Sequence, residues 1–231
     1  MKIRNIYLGK QIPVICTTLS VLCIAVTLIS QIIPSTYMAF AFTFPVKYPW
    51  QLITTVFLQG IPADLLPPEL PYSAMEITAG HLGYNLLLII PVGILVEKVI
   101  RSKRFLALNA GAWAANMTVN LILGIVNTRA GGTIVAAGAS GIAFTYMPVG
   151  IYILFVMGRK YGFGKLFRQV SFYLLMGIAI PTMVMAVMPN IAGVTGIPSM
   201  LIHLTAIAVG IVFAIAFKGS IKSYFDDTKT Q

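Results

Sequence analysis

Six apolar runs, each near the length of a membrane span, dominate this 231-residue chain. A run of about 20 apolar residues, wound as a helix, crosses a hydrocarbon core about 30 Å thick. The runs fall at roughly Ile12–Ile33, His81–Val99, Phe105–Asn127, Ser140–Met157, Val170–Met188 and Ser199–Phe217. Charged residues make up only 10% of the chain, against about 25% in soluble domains. The pattern predicts an all-α, polytopic membrane protein with six transmembrane helices, built as one membrane domain over residues 1–231.

The net charge of +10 raises the question of nucleic acid, and its distribution answers against it. Lys2, Arg4 and Lys10 precede the first run. Lys98, Arg101, Lys103 and Arg104 lie between the second and third, and Arg159, Lys160, Lys165 and Arg168 between the fourth and fifth. Lys218, Lys222 and Lys229 follow the sixth, leaving only Lys47 and Arg129 for the other side. Lys and Arg gather in cytoplasmic loops, so both termini are expected in the cytoplasm of a plasma-membrane protein. Contact with anionic headgroups follows as a by-product. The first apolar stretch exceeds a signal-peptide core in length, so a span is expected there rather than a cleaved leader. Cys16 and Cys23 share that span and cannot form a structural disulfide within one helix; they are expected to face lipid or pack.

Residues 34–80 form a long outer first loop. Trp50-Gln-Leu-Ile-Thr-Thr-Val-Phe-Leu58 reads as a short interfacial amphipathic stretch, with Tyr48 beside it. The insert Gly60–Ala79 contains Ile61-Pro-Ala-Asp-Leu-Leu-Pro-Pro-Glu-Leu-Pro71, whose prolines exclude a regular helix. Two readings stand, a substrate-selecting lid and a spacer, and Pro-rich runs commonly serve as spacers. Outer loops are also expected at Thr128–Ala139 and Pro189–Pro198, the second rich in Gly and Pro. Asn116-Met-Thr118 has the form of a glycosylation sequon but falls inside a span.

The chain has two histidines, and both belong to one polar layer. Depth is reckoned from the basic boundaries at about 1.5 Å per residue. Asn85 then stands about 20 Å above Lys98, Ser140 about 28 Å above Arg159 and His203 about 22 Å above Lys218. His81 and Asn85, at i and i+4, share a helix face. A serine hydroxyl needs a base to become a nucleophile, and His203 is the candidate. His81 and Asn85, with the Ser140 backbone N–H, have the donors that an oxyanion needs. No carboxylate lies in the outer halves of these helices to orient His203, so a Ser–His dyad is expected rather than a triad. Gly138 and Gly141 flank Ser140. Ala206 and Gly210 follow His203 at spacings of three and seven, and small residues let helix backbones approach closely in lipid. GxSG arises by chance and small-residue patches are ordinary packing motifs. Ionisable residues inside a membrane are costly, however, and their shared depth favours a site.

These residues resemble the rhomboid family of intramembrane serine proteases, along the whole six-helix core. Gly138-Ala-Ser140-Gly141 resembles the family's GxSG nucleophile motif. His203 with Gly210 resembles its sixth-helix base motif, and His81-Leu-Gly-Tyr-Asn85 its HxxxN motif, with Glu97 as the glutamate near the inner end. Trp50-Gln51, Thr54 and Phe57 resemble the first-loop stretch that usually begins Trp-Arg. The resemblance implies Ser140 as nucleophile, His203 as base, and His81 and Asn85 as oxyanion stabilisers. It implies transmembrane protein substrates cleaved near their outer ends. Four departures stand out. Gln51 replaces the usual arginine, Ala206 a usual glycine and Phe144 a frequent tyrosine, and the insert lengthens the first loop. Neither cofactor nor metal is expected. The rivals are a rhomboid-like binder of client helices that does not cut, and a small-solute transporter. The transporter lacks a buried acidic residue for ion coupling and inverted repeats. The fifth helix and the Pro189–Pro198 loop are the expected gate.

Overall fold

The computed structural model describes residues 11–61, 63–66, 72–187 and 196–227. Helix α1 (Val14–Ile32) is followed, in the first loop, by α2 (Ser35–Phe40), strand β1 (Phe42–Phe44) and α3 (Gln51–Thr54). Helix α4 (Ala74–Leu88) runs through a π-helical turn, Ile89–Gly93, into α5 (Ile94–Arg129). Strand β2 (Ile134–Ala136) leads to the short α6 (Ser140–Ala143) and then to α7 (Tyr146–Tyr161) and α8 (Phe163–Leu166). Next come α9 (Val170–Leu174), a second π-helical turn Leu175–Ala179 and α10 (Ile180–Val187). Helices α11 (Ile197–Ala216) and α12 (Lys218–Asp227) complete the described chain.

Four helices are long and apolar enough to cross a membrane: Val14–Ile32, Ala74–Arg129, Ser140–Tyr161 and Ile197–Ala216. The fifth apolar run forms the shorter helix Phe172–Val184. The second and third runs merge into one helix of 56 residues, broken at Arg101, whose φ of 68° and ψ of 157° are not helical. Asn85 and Asn116 show that the chain reverses there. Asn85 bonds to Gln59, which also accepts the Ala139 N–H, while Asn116 bonds to the Gly141 carbonyl. A straight helix would separate these asparagines by about 46 Å, yet Asn116 bonds to one residue flanking Ser140 and Asn85 shares the Gln59 oxygen with the other.

The core passes through all these long helices. Ile89, Phe105, Leu108, Tyr146, Met147 and Ile153 are fully buried in it. Cys16 and Cys23 are buried, which settles their role as packing residues rather than lipid-facing ones. Pro91 has no N–H to give an α-helix, and the chain widens into the first π-helical turn around it. The Ile89 carbonyl in that turn accepts the Cys16 thiol at 2.9 Å.

Glu97 corrects one expectation: an acidic residue is buried after all, with no exposed surface. It serves the start of α1. Pro13 at the helix N-cap has no capping side chain, and the first N–H groups of a helix have no internal acceptor. Glu97 Oε2 accepts the Cys16 N–H at 2.8 Å, and Oε1 accepts the Ile15 N–H at 3.1 Å and the Ser102 hydroxyl at 2.8 Å. The carboxylate thus joins α1 to the Arg101 reversal.

Three further expectations change. The all-α reading gains a two-stranded antiparallel sheet, in register Phe42↔Ala136, Thr43↔Val135 and Phe44↔Ile134. The loop 128–139 is therefore partly strand. The helix carrying His81 begins at Ala74, inside the insert, because Ser73 and Glu76 form a reciprocal capping box. His81 therefore lies two turns into its helix rather than at its head. Most of the predicted gate loop 189–198 falls outside the described residues.

Candidate active site

Ser140 is presented by backbone geometry. After β2 the chain turns through Gly138, whose φ of 142° favours glycine. A Cβ there would lie 2.8 Å from His81 Cε1. The Gly138 N–H donates to the Thr55 carbonyl at 3.0 Å, and the Thr55 hydroxyl donates to the Ala136 carbonyl at 2.6 Å. From below, Asn116 Nδ2 donates to the Gly141 carbonyl at 2.6 Å. Ser140 begins α6, so its N–H lies in a first turn that has no intrahelical acceptor.

His203 reaches it from α11. His203, Ala206, Gly210 and Ala214 form the buried stripe of that helix, at spacings that keep one face. Gly210 makes the close approach to α7: a Cβ there would stand 2.5 Å from the Thr145 carbonyl oxygen and 3.0 Å from Pro148 Cδ. Ala206 is fully buried, so its methyl is accommodated. His203 Nε2 and Ser140 Oγ are 3.0 Å apart. Phe144 stacks on the imidazole, with ring centroids 4.3 Å apart and planes at 9°. The aromatic face is present without the tyrosine hydroxyl.

His81 stands beside the pair. The Gly60 N–H donates to His81 Nδ1 at 3.0 Å, which leaves the ring proton on Nε2. A Cβ on Gly138 would lie 3.2 Å from that Nε2 and 3.6 Å from Ser140 Oγ, so both atoms border one space. Gly60 is itself fixed. Its φ is 82°, and a Cβ would fall 2.0 Å from Thr78 Oγ1. The Tyr37 hydroxyl donates to its carbonyl at 2.6 Å. Burial pushes the Tyr37 phenol up to about 12, so the donor persists at neutral pH.

Asn85 is not brought directly to Ser140. Its Nδ2 donates at 2.6 Å to Gln59 Oε1, an oxygen that also accepts the Ala139 N–H at 3.4 Å. Gln59 is fully buried, and its own amide donates to the Val56 carbonyl at 3.1 Å. Motif spacing missed Gln59, Thr55 and Asn116, because their role comes from contacts between distant segments. Replacing Gln59 with alanine leaves two buried N–H groups without their acceptor, at about 1–3 kcal/mol each. A lower thermal midpoint is expected for Gln59→Ala, with partial recovery in Gln59→Glu; equal midpoints for wild type and Gln59→Ala would contradict this bracing.

Gln51 is likewise an internal hub. Buried where arginine is usual in the resemblance, its Oε1 accepts the Lys47 and Tyr48 N–H groups, each at 3.1 Å. Its Nε2 donates to the Met38 carbonyl at 2.9 Å. Tyr48 and Trp50 stack at 4.6 Å on the half-exposed side of this loop.

With Ser140, His203, His81 and Asn85 on facing elements, the match of residues 72–220 to the family model for the Rhomboid domain is decisive. The chain belongs to the rhomboid family. No curated protein and no solved structure matches it. Rhomboids are generally serine proteases of the membrane interior that act on transmembrane substrates, and non-cutting relatives exist. This rhomboid is accordingly an integral membrane protein. Its match includes both histidines and Ser140, whereas Gln51, Thr55 and Gln59 lie before it and brace the site from the first loop. Among the described residues, no group of three His, Cys, Asp or Glu side chains is placed to hold a metal.

Proposed function

We propose that this rhomboid is a serine endopeptidase that cuts a transmembrane helix near its outer end with a Ser140–His203 dyad. The observation that supports it most is the 3.0 Å approach of His203 Nε2 to Ser140 Oγ, within reach for proton transfer. His203 takes the hydroxyl proton as Ser140 Oγ bonds to the scissile carbonyl carbon. The resulting oxyanion is held by the His81 Nε2–H and the Ser140 N–H, with Asn85 positioned through Gln59. Collapse of this intermediate breaks the C–N bond, and the departing amine takes the proton from His203. Water then attacks the acyl-enzyme, giving a proton to His203; as the ester C–O bond breaks, His203 returns that proton to Ser140 Oγ, and the new acid leaves and ionises in water. Gly138, Gly141, Ala206 and Gly210 keep the elements close enough for this geometry.

The proposed frame is a single rhomboid domain with six spans. The Arg101 reversal divides the 56-residue helix into two spans, and 170–187 supplies another. The basic loops and both termini then face the cytoplasm at the plasma membrane. The apolar core draws on residues from Cys16 to Phe225, as one domain requires.

The test is co-reconstitution with a single-span reporter protein in liposomes, with products mapped by mass spectrometry. Cleavage near the reporter end opposite the basic loops is expected from wild type and none from Ser140→Ala. A reporter that is bound but stays intact with wild type would instead make this chain a binder of client helices.

A further inference from the structure

Far from Ser140, the other end of α7 meets α12. The Lys160 ammonium bonds to the Phe225 carbonyl and lies 3.3 Å from Asp226. There, between the Arg101 reversal and α12, is a cavity of about 250 Å³. Val99, Arg101, Arg104, Ser220, Ser223 and Tyr224 line it. Two arginines and three hydroxyl-bearing residues are among those that line it, and no acidic residue is. Glu97, one turn before Arg101, is directed to the N–H groups of α1, and Asp226 to Lys160. A second cavity, of about 540 Å³, adjoins the same two arginines and is bordered by Ile100, Ser102 and Lys103.

Arg101 adds an independent observation. Its φ of 68° is the one positive value at a non-glycine residue among those described. Glycine would make this reversal without strain, whereas φ 68° with ψ 157° is a backbone conformation that L side chains rarely adopt. A side chain held in such a conformation points to a role for the side chain itself. Guanidinium forks match phosphate oxygens in geometry as well as charge. The site lies among the basic residues that part the second and third apolar runs, and basic pockets between membrane helices bind anionic lipids.

We propose that this cavity holds the phosphate of an anionic phospholipid, tying the Arg101 reversal to α12. The proposal is independent of whether Ser140 cuts substrate.

The experiment uses the full chain in neutral detergent, with thermal unfolding followed as lipid is added. Phosphatidylglycerol, phosphatidylcholine and inorganic phosphate are the three probes. The test variant is Arg101→Gly/Arg104→Gln, because glycine suits φ 68° and preserves the reversal. Arg104→Gln alone is a second reading should the double variant fold poorly. Lys165→Gln/Arg168→Gln, in another basic loop, controls for bulk charge. Saturable stabilisation by phosphatidylglycerol is expected in wild type and in the control, with phosphatidylcholine inert. The arginine variants should need about tenfold more lipid for the same shift. Equal shifts in wild type and the arginine variants would overturn the site, as would no phosphatidylglycerol effect on wild type. Equal loss in the control would reduce the effect to surface charge, and an equal shift from inorganic phosphate would refute the lipid source.

Discussion

Substituting His203 with alanine is expected to lower cleavage of a reconstituted transmembrane reporter by about 10²–10⁴-fold, the usual share of a positioned general base. The imidazole lies 3.0 Å from Ser140 Oγ and is held flat against Phe144. No other histidine can replace it, since His81 Nδ1 is bonded to Gly60 and its Nε2 carries the ring proton. Ser140→Ala removes the nucleophile and should abolish cleavage. Groups that act as one unit are non-additive, so the double variant should be no slower than Ser140→Ala. Single-turnover cleavage measures this, and thermal unfolding of each variant confirms that the fold persists. Near-wild-type turnover in a folded His203→Ala protein would remove His203 from the mechanism.

The second large effect is expected from one methyl group at Gly210. A Cβ there would stand 2.5 Å from the carbonyl oxygen of Thr145. That oxygen belongs to the backbone at the α6–α7 junction and cannot swing away. Gly210→Ala must therefore push α11 from α7, at about 1–3 kcal/mol of overpacking. His203 is on the same face two turns away, so its distance from Ser140 should grow. A misplacement of about 1 Å costs about 10²-fold in rate. A cleavage rate reduced by about that factor in a still folded protein is expected. Gly164→Ala, where a Cβ meets nothing within 4 Å, should leave the rate unchanged. Full activity in Gly210→Ala would show that the dyad does not depend on this seat.

Much of this architecture is legible from apolar length. The runs that become α1, α7 and α11 are readable because membrane thickness and 1.5 Å per residue leave few alternatives. The same reckoning puts Asn85, Ser140 and His203 at one level. It cannot say which helices are neighbours, and the 3.0 Å contact depends on Gly210, whose role appears only when Thr145 is placed beside it. The early start of α4 is written in Ser73-x-x-Glu76, a local signal that an apolar count passes over. The reversal at Arg101 has no glycine or proline to announce it, but the basic residues that part the second and third apolar runs mark it as a loop. Pairing of β1 with β2 joins segments about ninety residues apart, which no local pattern encodes. Gln59 is an unremarkable loop glutamine until Asn85 and Ala139 converge on its oxygen. Glu97 is readable as a glutamate near a helix end, but its service to α1 is visible only across 81 residues.

Whether Ser140 is an activated nucleophile can be measured without knowing the substrate. Purified protein would be treated with a fluorophosphonate serine probe, comparing wild type with Ser140→Ala and His203→Ala. The dyad predicts labelling of wild type at Ser140 and loss of labelling in both variants. Absence of labelling in folded wild type, or labelling that survives in Ser140→Ala, would contradict it.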